Sequence, residues 1–229
     1  MSKITDYSFL FQSMFGMKSN AGMVNPLRVS SLSSGSVQAQ LKAAGIDTNS
    51  AQYKAAIKEM TKHAGSSGMF TNVQAIKNLM SQYDKDGDYI DPNTGLAGLV
   101  VTEENAVSRK KLISISESSL EDMFEVTKKE FLQGNGMGNG DTTRRSDVYT
   151  DLYRKMGKKD RLAAGYTLSQ YEKAYTQAFI AAAKAADPTW KAGKPIKSGA
   201  LDGITRETVE ANLSKSGNRL VNAGVDVRC

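Results

Sequence analysis

The chain has 229 residues, 40% hydrophobic and 24% charged, with 30 Lys and Arg against 24 Asp and Glu and a formal charge of +6. That size suits one large domain or two small ones, and the longest apolar runs, Leu96–Val101 and Ala178–Ala183, fall far short of the about 20 residues a membrane-spanning helix needs. The only histidine is His63 and the only cysteine is Cys229, which excludes multi-histidine zinc sites, HExxH peptidase chemistry and an intramolecular disulfide.

Residues 1–49 read as a partly disordered N-terminal segment. Ile4–Phe15 gathers Phe9, Leu10, Phe11, Met14 and Phe15 into an amphipathic stretch suited to docking on a partner or on the body. Only Lys3 precedes it and no clean cleavage site follows, so it does not read as a secretory signal. The expected location is cytoplasmic, or outside the cell by a route that removes no signal peptide. Ser30–Ser36 has the composition of a flexible linker.

Residues 50–133 read as a helical region with an Asp-rich loop. Ser50 precedes a helix over 51–64 that places Tyr53, Ile57 and Met60 on one face. Thr71 or Asn72 opens a second helix with an apolar stripe at Val73, Ile76, Leu79, Met80 and Tyr83. It runs straight into Asp84-Lys-Asp-Gly-Asp-Tyr-Ile-Asp91, the most informative stretch of the chain. Carboxylates at alternate positions repel one another unless a hard cation sits among them, and Ca²⁺ takes six to eight oxygens, typically at about 2.3–2.6 Å.

This loop resembles the first nine positions of an EF-hand calcium loop with one residue missing. On that resemblance Asp84, Asp86 and Asp88 are side-chain ligands, Tyr89 gives its carbonyl, Ile90 takes the apolar position and Asp91 the ninth. The customary glycine after the third Asp is absent, and Thr94 stands where a bidentate Glu belongs, leaving Glu103 or Glu104 as substitutes. The expected metal set is therefore Asp84, Asp86, Asp88, Tyr89 and Asp91 with Ca²⁺, at a weak affinity of about 10⁻⁴ M or poorer. The same residue types also build an ordinary acidic turn.

Leu99–Val101 and Leu112–Ile115 suggest a short two-stranded ribbon near the loop. Ser118-Ser-Leu-Glu121 has capping-box spacing and opens a helix with a stripe at Leu120, Met123, Phe124, Thr127 and Phe131 that stops at Gly134. Residues 134–145, beginning Gly134-Asn-Gly-Met-Gly-Asn-Gly140, read as a Gly-rich linker, and no Gly-Lys-Ser/Thr follows to make them a phosphate loop.

Residues 146–229 read as a basic helical region: from 141 onward there are 16 Lys and Arg against 10 Asp and Glu. Ser146 precedes a helix over 147–156, and Thr167-Leu-Ser-Gln170 starts the longest helix, about 168–186, which Asp187-Pro188 ends. Trp190 follows as a packing anchor, and Thr205 caps a last helix to about Ser214. The ten methionines suit gap-filling in a helical core.

The opening Ile4–Gly16 carries Asp6-Tyr7, Leu10-Phe11 and Phe15-Gly16, followed by the Ser-rich stretch. It resembles the start of a group of uncharacterised proteins from clostridial Firmicutes. The resemblance implies a Gram-positive bacterial protein that is not an enzyme. His63, at the end of a helix, is the only residue on which Ser–His–Asp or Cys–His catalysis would turn.

The expected fold is mainly α: a helical domain with one degenerate EF-hand-like loop, a short two-stranded ribbon and a flexible N-terminus. The expected function is a non-enzymatic calcium-binding protein, with the ion used for structural stabilisation and a protein as partner. The alternative is association with nucleic acid through Arg154, Lys155, Lys158, Lys159 and Arg161, interleaved with Tyr149, Tyr153 and Tyr166.

Overall fold

The computed structural model describes residues 25–63, 69–103 and 105–222, His63 in its backbone only. The run Ile4–Phe15, the His63 side chain, Glu104 and Cys229 lie outside the described residues. The chain divides into two compact units, one ending at Ala97 and the other starting at Gly98. Helices dominate both: seven α-helices stand against three antiparallel ribbons of two strands each among the described residues.

In the first unit, β1 (Leu27–Arg28) pairs with β2 (Phe70–Thr71), Leu27 opposite Thr71. A 3-10 turn at Val29–Ser31 leads into α1 (Gly35–Ala43), followed by α2 (Ala51–His63) and α3 (Val73–Met80). The Ser-rich stretch read as a flexible linker is thus the 3-10 turn and the entry to α1. Val29 and Leu32 are buried on one side of it, and Leu41 of α1 on the other. Those apolar residues pin a segment whose serines alone suggest freedom.

Of the expected α2 stripe Tyr53 and Met60 are buried and Ile57 is half-buried, with Ala56 buried beside them against Ile76 and Leu79 of α3. Asn72 is the residue that caps α3: its Oδ1 accepts from the Ala75 N–H at 2.8 Å. Gln38 of α1 donates through Nε2 to the Tyr53 phenol at 2.9 Å, giving the polar end of a buried ring a partner.

The second unit is built on α4 (Glu117–Gln133), α5 (Thr143–Lys155), α6 (Arg161–Ala186) and the short α7 (Arg206–Glu210). Its core is an aromatic row between α4 and α6. Phe124 meets Tyr175 edge-on with ring centres 5.2 Å apart, Phe131 meets Phe179 at 5.6 Å, and Trp190 closes the row 5.9 Å from Phe131. Such ring pairs contribute about 0.5–1.5 kcal/mol each beyond the area they bury.

Several boundaries differ from the sequence reading. Ser116, not Ser118, caps α4, its Oγ accepting from the Ser119 N–H. The α6 helix begins at Arg161, well ahead of Thr167, so the apparent capping box lies inside the helix. The buried Thr167 hydroxyl donates back to the Ala163 carbonyl at 2.8 Å and accepts from the Ile113 N–H at 3.0 Å. It therefore tethers the segment 112–115, which is extended but, among the described residues, has no strand partner, and Ile113 and Ile115 pack half-buried on the core. Gly165 sits inside α6 because a Cβ there would collide with the Tyr153 hydroxyl of α5.

The ribbons also fall elsewhere than expected. One is β3 (Ile90–Asp91) with β4 (Leu96–Ala97), and another is β5 (Leu213–Ser216) with β6 (Arg219–Asn222). The second replaces the end of the expected last helix, which stops at Glu210. Gly217 and Asn218 form a two-residue turn with Gly217 at a φ of 58°, the glycine-first hairpin turn that matches strand twist.

Candidate functional site

The Asp-rich turn follows directly from α3. Asp84 Oδ1 accepts from the backbone N–H groups of Asp86 (3.0 Å) and Asp88 (2.9 Å), folding the chain around its own carboxylate. The Asp84 N–H donates to the Asp88 carbonyl at 2.8 Å, and the Gly87 N–H to the Asp84 carbonyl at 2.9 Å. Tyr83 and Tyr89 then pair across the turn, their rings edge-on at 5.8 Å, and the Ile90 N–H bonds to the Gln82 carbonyl. This is a closed loop at the end of a helix.

Asp91 belongs to the next turn. Its Oδ1 accepts from the Asn93 N–H at 3.2 Å and its Oδ2 from the Thr94 hydroxyl at 2.8 Å, while Leu96 lies opposite it in the β3–β4 ribbon. Thr94, at the position of the missing Glu, is thus a partner of Asp91. Glu103 falls in the second unit.

The fit to a cation is consequently divided. The backbone from Asp84 to Asp88 closes on the Asp84 carboxylate, yet among the described residues no three His, Cys, Asp or Glu side chains are grouped to hold a metal ion. Asp86 and Asp88 are exposed, and Asp84, Tyr89 and Asp91 are half-buried.

In the second unit the basic run that begins in the last turn of α5 leaves Arg154, Lys155 and Lys159 exposed, with Lys158 and Arg161 half-buried. Arg154 pairs with Asp151 at 3.2 Å, and Arg161 Nε donates to the Tyr153 carbonyl at 3.0 Å. The interleaved tyrosines are engaged in the fold: Tyr149 donates to Glu172 at 2.7 Å, Tyr153 packs on Gly165, and Tyr166 donates to the Asn218 carbonyl at 2.7 Å.

Two ionic clusters were not legible beforehand, because their members lie far apart in sequence. Arg145 of α5 pairs with Glu130 of α4 and, at 3.0 Å, with Glu172 of α6. Arg206 of α7 lies within 2.7 Å of Glu117, 2.9 Å of Glu121 and 3.2 Å of Glu210, its side chain only 13% exposed. Each cluster carries a tyrosine: Tyr149 bonds to Glu172 and Tyr175 to Glu210. Burial first, and the adjoining carboxylate second, push both phenols far above their ordinary range. Held protonated, they serve as hydrogen-bond donors that join helices rather than as proton acceptors.

These features define a two-unit helical protein with a closed acidic turn in one unit and ion-clamped helices in the other. Residues 46–229 match the family model described as a domain of unknown function (DUF3879), and the chain belongs to that family. No curated protein and no solved structure matches it. Among the described residues, no helix is long and apolar enough to cross a membrane.

Proposed function

We propose that this chain is a non-catalytic binding or structural protein that works with a protein partner, and that its Asp84–Asp91 turn is a weak, EF-hand-like calcium site that stiffens the first unit. The observation behind the calcium reading is the double hydrogen bond to Asp84 Oδ1, which holds alternate aspartates in one turn at the end of a helix. Ca²⁺ would be held by Asp84, Asp86, Asp88, the Tyr89 carbonyl and Asp91 once the exposed Asp86 and Asp88 side chains rotate inward. That rearrangement and the missing bidentate Glu both weaken binding, to about 10⁻⁴–10⁻³ M. The non-catalytic reading draws on the second unit, where half-buried ionisable groups close on one another as structural clamps.

If Ca²⁺ binds only the folded state, a concentration 100 times the dissociation constant adds about 2.7 kcal/mol. The experiment is thermal unfolding of the full chain, followed by circular dichroism, in excess calcium and in excess chelator. The midpoint rises with calcium, and Asp86→Asn with Asp88→Asn removes the rise. Superimposable curves for the wild-type chain reject the calcium site.

A further inference from the structure

A groove of about 510 Å³ runs across the second unit between α6 and the C-terminal hairpin. Tyr166, Gln170 and Lys173 line it from one face of α6, at the spacing of successive helical turns. Ser216, Asn218 and Arg219 line it from the hairpin, and Lys110 from the 3-10 turn at Ser108–Lys110. The Tyr166–Asn218 hydrogen bond pins the hairpin to the helix and so sets the width of the groove.

Its charge is one-sided. Lys110, Lys173 and Arg219 are three cations, and among the described residues none of the lining is acidic. Glu172, beside Lys173 in sequence, turns away to Arg145 and Tyr149. Elsewhere in the unit Arg145, Arg154 and Arg206 are each held by a carboxylate. Among the described residues, the side chains of Lys110, Lys173 and Arg219 have no such partner. Cations from three separate elements that converge without a counter-charge raise the local concentration of anions.

The neutral lining narrows the ligand class. Gln170, Ser216 and Asn218 supply hydrogen-bonding groups beside the three charges, and the walls offer little apolar surface. Lysines act as point charges toward phosphate oxygens, whereas Arg219 brings a planar fork able to hold two oxygens of one group. A ligand carrying two or more phosphate charges matches three cations; a monocarboxylate leaves most of the charge unmatched. The groove is also bounded, with the hairpin as one wall, which favours a small ligand over a continuous strand.

We propose that this groove is a binding site for a small polyphosphate-bearing ligand, independent of the acidic turn in the first unit. The probe is inorganic pyrophosphate, titrated calorimetrically into the full chain at low ionic strength, with a single-stranded oligonucleotide as a parallel arm. Saturable one-to-one pyrophosphate binding is expected. Lys173→Gln and Arg219→Gln should each weaken it about tenfold, typical for loss of one hydrogen bond to a charged group. Lys155→Gln, a basic position outside the groove, should leave it unchanged. All three side chains are exposed, so their thermal unfolding should match the wild type. The proposal is overturned if pyrophosphate does not bind, if Lys155→Gln weakens binding as much as the groove variants, or if only the oligonucleotide binds.

Discussion

Replacing Gly136 by alanine separates an ordered structural element from a flexible joint. Gly136 has a φ of 78°, and a Cβ there would lie 2.6 and 2.7 Å from Cη2 and Cζ2 of Trp190. The indole is not free to retreat: its Nε1 donates to the Lys194 carbonyl at 2.9 Å, and its ring stands against Phe131. The left-handed backbone alone costs a non-glycine residue about 1–2 kcal/mol. Crowding a packed core adds about 1–3 kcal/mol, so Gly136→Ala should destabilise by about 2–5 kcal/mol. Gly140, at a φ of 80° with nothing within 4 Å, isolates the backbone contribution and should lose only about 1–2 kcal/mol. Gly138 has neither constraint, and its alanine variant should be neutral or slightly more stable. The assay is urea unfolding followed by the fluorescence of Trp190, the only tryptophan in the chain. Equal effects at 136 and 140, or a Gly136→Ala loss below about 0.5 kcal/mol, would refute the packing argument.

Two further outcomes follow from the ionic clusters. Arg206→Met leaves Glu210, 22% exposed, facing Tyr175 without its cation. Breaking a buried pair costs about 3–5 kcal/mol, but Glu117 and Glu121 are 79% and 52% exposed and contribute little. A loss of about 2 kcal/mol is expected, partly recovered when Glu210→Gln is added; strict additivity of the two changes in a double-mutant cycle would reject the clamp. The raised phenols of Tyr149 and Tyr175 give an alkaline signature. Below about pH 10, the ordinary phenol value, folded and unfolded chains bind these protons equally. Above it the unfolded chain releases them first, so stability falls as pH rises. Tyr149→Phe and Tyr175→Phe should flatten that fall in melts taken from neutral to strongly alkaline pH, and an unchanged slope would count against it.

Helix existence was largely legible, because buried stripes at helical spacing do not depend on distant partners. The faces at Tyr53 and Met60, at Ile76 and Leu79, and at Leu120, Met123 and Phe124 are buried as their periodicity requires. Boundaries were less so. Thr167 has the spacing of a cap, but a threonine hydroxyl inside a helix also satisfies itself on the carbonyl four residues back, as here, where it accepts from the Ile113 N–H as well. The C-terminal hairpin had a local signal in Gly217-Asn218, which the capping signal at Thr205 outweighed. The acidic turn was located but not decided, since aspartates that chelate a cation also cap turns with the same oxygens, as Asp84 and Asp91 do. The groove was illegible because Lys110, Lys173 and Arg219 meet only through tertiary structure.

The α6 helix carries obligations on every side: Tyr166 and Lys173 toward the groove, Glu172 and Tyr175 toward the two clamps, Phe179 toward the aromatic row. One residue inserted between Tyr166 and Phe179 would swing everything beyond it by about 100°, the angle between neighbours on a helix. Placed ahead of Glu172, it would turn Glu172, Lys173, Tyr175 and Phe179 away from their partners together. The spacing along this stretch is therefore less tolerant of insertion or deletion than its exposed positions are of exchange, even where no single side chain is indispensable.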